Sequence, residues 1–278
     1  MIQDISPYKL DNTYHETIPV PDDCFFSFRG NEVLLREGED GRMSLPSFRN
    51  LRRPVREMGS RAVFLFCMDT EPLYLLRLQK DVEPESRHLQ YFPIEHLKHI
   101  LPEWTYFAGI TALHLGHWYE MNGYCGRCGS VMGRKKGQRA LVCPKCGNTI
   151  YPCIAPVVMV AVTNGDKLLM TKYADRSLLQ WVLISGFVEI GETLEEAAER
   201  EAFEETGIHI RDLKYFGSQP WGFSDSVIVG YTARLDGSDE IHLDRAELAE
   251  AKWHTRSGLP KELSDISIAY EMIESLRI

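Results

Sequence analysis

Residues 186–208 read GFVEIGETLEEAAEREAFEETGI, and this stretch decides the fold. Thr193 followed by Glu196 is a capping box, in which each side chain satisfies a backbone N–H of a helix's first turn. The spacing predicts a helix from Leu194 to Thr206, built of good helix formers and stopped by Gly207 as its left-handed last residue. Glu201, Glu204 and Glu205 then fall three and four residues apart and are expected on one face, with Arg200 in reach of Glu204. Crowded carboxylates repel one another and a hard cation relieves the repulsion. Mg²⁺ and Mn²⁺ take oxygen ligands, and Mg²⁺ is commonly held by a few carboxylates plus substrate phosphates. The acidic face points to a phosphate ester or anhydride as substrate, whereas Glu195, Glu196 and Glu199 read as a solvated surface.

Around the helix, PVVMVAVTNGDKLLMTKY places two apolar runs across Asn164-Gly165, a hairpin signal, and WVLIS leads straight into Gly186. DLKYFGSQPW, SVIVGYTARL and EAKWHT read as further strands, and ISIAYEMIESL as an amphipathic closing helix. A mixed sheet covered by helices is expected.

Four of the seven cysteines form C-x2-C-x14-C-x2-C through Cys125, Cys128, Cys143 and Cys146, in the knuckles YCGRCGS and VCPKCGN. Four thiolates fill the tetrahedral sphere of zinc and leave no position for water, so one structural Zn²⁺ is expected. Cys24, Cys67 and Cys153 lie among apolar neighbours and read as buried thiols. Upstream, DDCFFSFRGNEVLLREG and RAVFLFCMDTEPLYLLRLQ read as β-hairpins of an N-terminal domain without evident chemistry. PEWTYFAGITALHLGHWYEMNG reads as a helix packed through Ala108, Leu113 and Trp118, on which His114 and His117 are expected to be satisfied polar residues.

The chain of 278 residues is 44% hydrophobic and carries a formal charge of -9, which argues against broad non-specific nucleic-acid binding. It has no run of ~18 apolar residues, and its first residues do not follow the order of a signal peptide, so a cytosolic protein with no membrane partner is expected.

Gly186, Glu192, Arg200, Glu201, Glu204, Glu205, Gly207 and Ile208 match G-x5-E-x7-R-E-U-x-E-E-x-G-U, the Nudix box, with Ala202 small where a bulky aliphatic is usual. From about Tyr124 onward the order of ribbon, Tyr151-Pro152-Cys153-Ile154-Ala155-Pro156, box and SQPWGFSDS resembles the NAD(H) pyrophosphatase family of Nudix hydrolases. The resemblance implies an α+β protein, an α/β/α Nudix sandwich with a mixed sheet, preceded by a small zinc ribbon and a β-rich N-terminal domain. The expected divisions are 1–103 for the N-terminal domain, 104–151 for linker helix and ribbon, and 152–278 for the Nudix domain. It further implies two or three Mg²⁺ or Mn²⁺ held by the Ser185 carbonyl, Glu201, Glu205 and Glu247, with Glu204 as a further ligand or the base that orients water. Arg200 would fix the glutamates by charge-assisted hydrogen bonds, and Glu192 would support the loop or a metal through water. Tyr151, Phe187, Gln219, Pro220, Trp221, Gly222, Phe223, Ser224, Asp225, Ser226 and Ala269 match substrate-contact positions. Gly222 and Ser224 stand where the family has proline, and Gln138 where some relatives carry an acid.

The expected reaction is hydrolysis of NADH or NAD to nicotinamide mononucleotide and AMP by a homodimer. Two alternatives stay open. One is action on NAD-capped RNA 5′ ends or another nucleoside diphosphate derivative such as ADP-ribose, with Lys135, Lys136 and Arg139 as a basic approach. The other is a nucleic-acid-binding ribbon beside a vestigial Nudix domain.

Overall fold

The computed structural model describes residues 1–51, 55–58, 61–77, 88–174, 180–259 and 266–277, Arg56 by its backbone only. They form two units: Met1–Gln3, Ile154–Trp221 and Asp225–Ile278 make one, Asp4–Cys153 with Gly222–Ser224 the other.

In the second unit, Ala62–Met68 and Glu71–Leu76 form the expected antiparallel hairpin, flanked by Leu10–Asp11 and Cys24–Phe26; the last two residues of that sequence run, 78 and 79, lie outside the described residues. The other expected hairpin is split. Cys24–Phe26 pairs in parallel with Glu71–Leu76, and only Phe28–Arg29 turns back on Glu32–Glu37. The change of partner falls at Ser27, a buried serine hydrogen-bonded through its hydroxyl to the Tyr91 hydroxyl at 3.1 Å. Helix α1, Trp104–Met121, buries Ala108, Leu113 and Trp118 as expected. His114 donates from Nε2 to the Cys153 carbonyl at 3.0 Å and so is satisfied. The ribbon follows as three short strands, Gly133–Arg134, Leu141–Val142 and Thr149–Ile150.

The first unit is built on one mixed sheet, whose strands we label β1 (Ala155–Asn164), β2 (Lys167–Tyr173), β3 (Ile184–Phe187), β4 (His209–Trp221), β5 (Ser226–Asp236) and β6 (Leu248–Thr255). The order is β4-β5-β1-β2-β6, with β5 parallel to β1 and β3 paired to the first half of β1. The β1–β2 turn sits one residue later than Asn164-Gly165: Asn164 pairs with Lys167, and Gly165, at φ 59°, leads the turn with Asp166. Glycine in the first central position is what a type II′ hairpin requires.

Two helices cover the sheet. Side chains alternate along β1 with period two: Val158, Val160 and Val162 pack with Ala197, Ala198 and Ala202 of α2 (Leu194–Thr206). Ala161, Val157 and Met159 pack with Ile268, Met272 and Ile273 of α3 (Ile268–Ser275). The architecture is α+β, with the sheet between two helices. The small Ala202 is wholly buried beneath α2.

Candidate active site

Both expected ends of α2 are realised. Thr193 Oγ1 accepts from the Glu196 amide at 3.1 Å, the Glu196 carboxylate accepts from the Thr193 amide at 2.8 Å, and Gly207 is left-handed at φ 71°. Fixed ends set which residues face the sheet. Ala197, Ala198, Ala202 and Thr206 go inward, and Glu201 and Glu205, one turn apart, are carried into the buried margin of that face. The Glu201 carboxylate lies directly over Gly186 of β3, where any Cβ would overlap it.

Arg200 organises the neighbouring loop. Its Nε and one terminal nitrogen donate to the two Glu192 oxygens at 2.5 and 2.9 Å. The other terminal nitrogen donates to Glu201 at 2.7 Å and Glu204 at 3.0 Å, and a bond to the Phe187 carbonyl at 3.0 Å completes the set. All five guanidinium N–H groups are thereby matched to acceptors. Glu192 also accepts from the Glu189 amide at 2.9 Å, closing the loop before α2. The Arg200 hydrogen bonds, then that amide, pull the Glu192 carboxyl down to about 2.

Glu205 is in the opposite condition. Only 3% exposed, it keeps one carboxylate oxygen, Oε2, buried with no partner. Burial first, then the charges of Glu201, Glu247 and Asp244, push its carboxyl up to about 8. Burial also raises Glu201, against the pull of Arg200, with Glu204 and Glu247 adding to the rise. A set of carboxylates with an orphaned buried oxygen is short of a positive charge, and its all-oxygen donors suit a hard divalent cation. Glu204 lies at the exposed edge of this set. Its side chain is 59% exposed and tethered to Arg200 alone among the salt bridges here. Sequence spacing left two neighbours unseen: Tyr173, whose hydroxyl is 3.0 Å from Ser185 Oγ, and Asp244, whose amide donates to the Glu205 carbonyl at 3.1 Å. Neither belongs to a local motif, since each reaches the cluster through the sheet or a loop.

The other expected contact residues are scattered in kind. Phe187, the second residue of the box, is exposed. Trp221 and Ala269 are partly buried against the α3 core. Pro220 is exposed. Gln219 is wholly buried, its amide nitrogen donating to the Ile266 carbonyl at 2.7 Å and its oxygen accepting from the Ile268 amide at 2.7 Å. It therefore pins the start of α3. Trp221 pairs with Ser226, a buried residue, across the loop Gly222–Asp225, and Asp225 is left-handed at φ 53° with its carbonyl accepting from Ala155. Ser224 is exposed. In the other unit, Gly222 lies so close to the Ile110 carbonyl of α1 that a Cβ would overlap it, and the Phe223 ring meets Tyr106 at 6.3 Å. There too, Tyr151 donates its hydroxyl proton to Gln138 Oε1 at 3.0 Å and accepts from Lys135 Nζ at 3.3 Å.

The four ribbon cysteines have their sulfurs within 4.8 Å of one another, with Cys125–Cys146 and Cys128–Cys143 at 3.6 and 3.5 Å. Each knuckle repeats one turn, Gly129 N–H to Cys125 O and Gly147 N–H to Cys143 O, with the glycines at φ 71° and 70°. Sulfurs so gathered fit tetrahedral zinc, whose Zn–S bonds of ~2.3 Å place thiolates a little under ~4 Å apart. Two expectations need correction. Cys153 is exposed, not buried, because it lies in the irregular segment between Ile150 and Ala155; Cys24 and Cys67 are half-buried, and burial raises both thiols. Arg139 faces inward, donating to the Leu65 carbonyl, with its guanidinium 5.9 Å from the Tyr14 ring, so it is not part of an exposed basic path.

Comparison with known proteins gives three family matches: a NUDIX domain over residues 154–276, an NADH pyrophosphatase zinc ribbon domain over 122–151, and an NADH pyrophosphatase-like rudimentary NUDIX domain over 22–118. Sequence reading missed the last, having keyed on an acidic box that residues 22–118 do not repeat. The chain is 37% identical over 199 residues to the NAD-capped RNA hydrolase NudC of Haemophilus influenzae (strain PittGG), covering 70% of this chain and 72% of that one. It is 33% identical over 217 residues to the NAD-capped RNA hydrolase NudC of Escherichia coli O81 (strain ED1a), covering 78% and 81%. Among solved structures, a NUDIX hydrolase from Nitrosomonas europaea is 23% identical with a TM-score of 0.44, over 55% of this chain and 88% of that one.

Proposed function

The chain belongs to the Nudix hydrolase family that holds the NADH pyrophosphatases and NAD-capped RNA hydrolases, and on that footing we propose that it hydrolyses the pyrophosphate bond of NADH or NAD to nicotinamide mononucleotide and AMP. The observation that carries the reading is the pair Glu201 and Glu205, buried side by side with an unpartnered oxygen, one of them packed over the first glycine of the box.

In this reading the Ser185 carbonyl, Glu201, Glu205 and Glu247 hold two or three Mg²⁺ or Mn²⁺. Such ions neutralise phosphate charge and lower the pKa of a bound water. The protein's own part is positioning and electrostatics, so no nucleophilic Ser or Cys is required. Arg200 and Glu192 hold the loop rigid and keep Glu201 oriented. Glu204, solvent-facing and singly tethered, is free to act as a further ligand or to orient the attacking water. Phe187 and Trp221 offer ring faces for a flat base. Gln219, Pro220, Gly222, Phe223, Ser224, Asp225, Ser226, Ala269 and Tyr151 are carried into this reading as substrate-contact residues by the family resemblance.

A second reading, the NAD cap of RNA as substrate, is favoured by the relatives' names. Lys135 and the exposed Lys136 would then supply the basic approach. A cytosolic homodimer with the three-part division at residues 103 and 151 belongs to the same proposal, open to sedimentation and limited proteolysis.

The test is catalytic efficiency with NADH, NAD, ADP-ribose and NAD-capped RNA, each with Mg²⁺ and Mn²⁺. Turnover of ADP-ribose or diadenosine polyphosphates, with none of NADH or NAD, would defeat the NADH and NAD reading.

A further inference from the structure

Tyr173 ends β2 where the ladder to β6 changes register. Lys172 pairs with Glu250 but Tyr173 with Leu248, so Ala249 is the extra residue of a β-bulge. A bulge bends its strand and re-aims the side chains beside it, and the residue just before Leu248 is Glu247. Two contacts hold this corner. The Tyr173 hydroxyl lies 3.0 Å from Ser185 Oγ on β3. The next amide, that of Ala174, donates to the Glu247 carbonyl at 2.8 Å. One short segment thus ties β3 to the start of β6. Burial raises the Tyr173 phenol; the Ser185 bond opposes this, and Glu205, Glu201 and Glu247 add to it, so three carboxylates share its surroundings. Phenylalanine would fill the same volume. What the hydroxyl adds is a directional link to Ser185 alone among its hydrogen bonds here.

We infer that Tyr173 is a positioning residue: the hydroxyl pair Tyr173–Ser185, with the Ala174–Glu247 bond beside it, fixes the strand ends that carry the Ser185 carbonyl and the Glu247 carboxylate, from which both would reach a divalent cation shared with Glu201 and Glu205. This rests on the reading of those four groups as cation ligands. Residues that orient ligands are felt in affinity as well as in rate.

The experiment is Mn²⁺ binding to the whole chain without substrate, followed by loss of the free-ion electron paramagnetic resonance signal. The proteins are the wild type, Tyr173→Phe, Ser185→Ala, the double variant, Ser185→Thr and Glu205→Gln. Tyr173→Phe and Ser185→Ala should each weaken binding about tenfold. The double variant should be no worse than either, because both break one link. Ser185→Thr, which keeps a hydroxyl, should bind like the wild type. Unchanged affinity in Tyr173→Phe overturns the inference, and so does a double variant whose loss is the product of the two. A wild-type chain that binds no Mn²⁺, or Glu205→Gln that binds as well as the wild type, overturns the ligand reading and the inference with it. If Ser185→Ala fails to fold, Tyr173→Phe and Ser185→Thr decide between these outcomes.

Discussion

Glu201 and Gly186 are packed so that the carboxylate of one occupies the space a side chain of the other would need. Gly186 is therefore required for room, not for an unusual backbone angle. Gly186→Ala should leave α2 and the sheet intact while displacing Glu201, and a shift of that size lowers kcat by about a hundredfold. Steady-state kinetics beside circular dichroism of the same preparation checks this; near-normal kcat would mean the contact is dispensable.

Arg200→Lys keeps the charge but loses the fork that engages Glu192, Glu201, Glu204 and the Phe187 carbonyl together. The loop before α2 should loosen, seen as faster hydrogen exchange at the Glu189 amide, and activity should fall by about tenfold or more. An exchange pattern like that of the wild type would contradict the organising part given to Arg200.

The pH dependence follows from Glu205. Its folded carboxyl sits at about 8, above its ordinary value near 4.5. Its contribution to stability is thus fully present below about pH 4.5, and it is lost as pH rises through about 8. In chelator, without divalent cation, the melting temperature should decline between pH 5 and pH 8.5 more steeply for the wild type than for Glu205→Gln. At pH 8 the variant should be the more stable, by up to about 4 kcal/mol. Mn²⁺ should reverse the order, since it binds more tightly to the chain that retains the carboxylate and stabilises that chain more. Parallel pH curves for the two proteins in chelator would remove the argument from burial.

Zinc should be found at one ion per chain by elemental analysis and lost in Cys143→Ser. Structural zinc of this kind contributes on the order of 10 kcal/mol, so hydrogen exchange should rise across residues 122–151 first. Full protection of that segment after chelation would argue that the ribbon holds its shape without metal.

Gly222 also tests the resemblance. Relatives are expected to have proline there, yet the space beside residue 222 is filled by the Ile110 carbonyl. Gly222→Pro should lower the melting temperature and not improve KM for NADH, whereas Ser224→Pro, at an exposed position, should be tolerated.

Much of this was legible in the chain because it is local. The Thr193–Glu196 box and Gly207 mark both ends of α2 within a few residues, and the paired Cys-x2-Cys knuckles carry their own turns. What could not be read depends on where the sheet lies. Spacing put Glu201, Glu204 and Glu205 on one face, but only packing against β3 decides that Glu205 is buried and Glu204 exposed. Gln219 sits in a recognisable segment, yet its amide serves Ile266 and Ile268, residues far along the chain. Tyr173 and Ser185 are both unremarkable in sequence and meet only because the end of β2 lies beside the start of β3. Arg139 reads as one of several surface cations until the Leu65 carbonyl is seen to take it.

Met1–Gln3 belong with the unit formed by the second half of the chain, through bonds from Ile2 to Ile266 and from Gln3 to Ser218. During synthesis the glutamate-bearing unit therefore cannot be completed until the ribosome has passed Ile266, by which time the whole of Asp4–Cys153 has emerged. A protease cutting once after Cys153 would likewise release a fragment short of its own opening residues, so excising this unit as an independent enzyme calls for grafting those residues back.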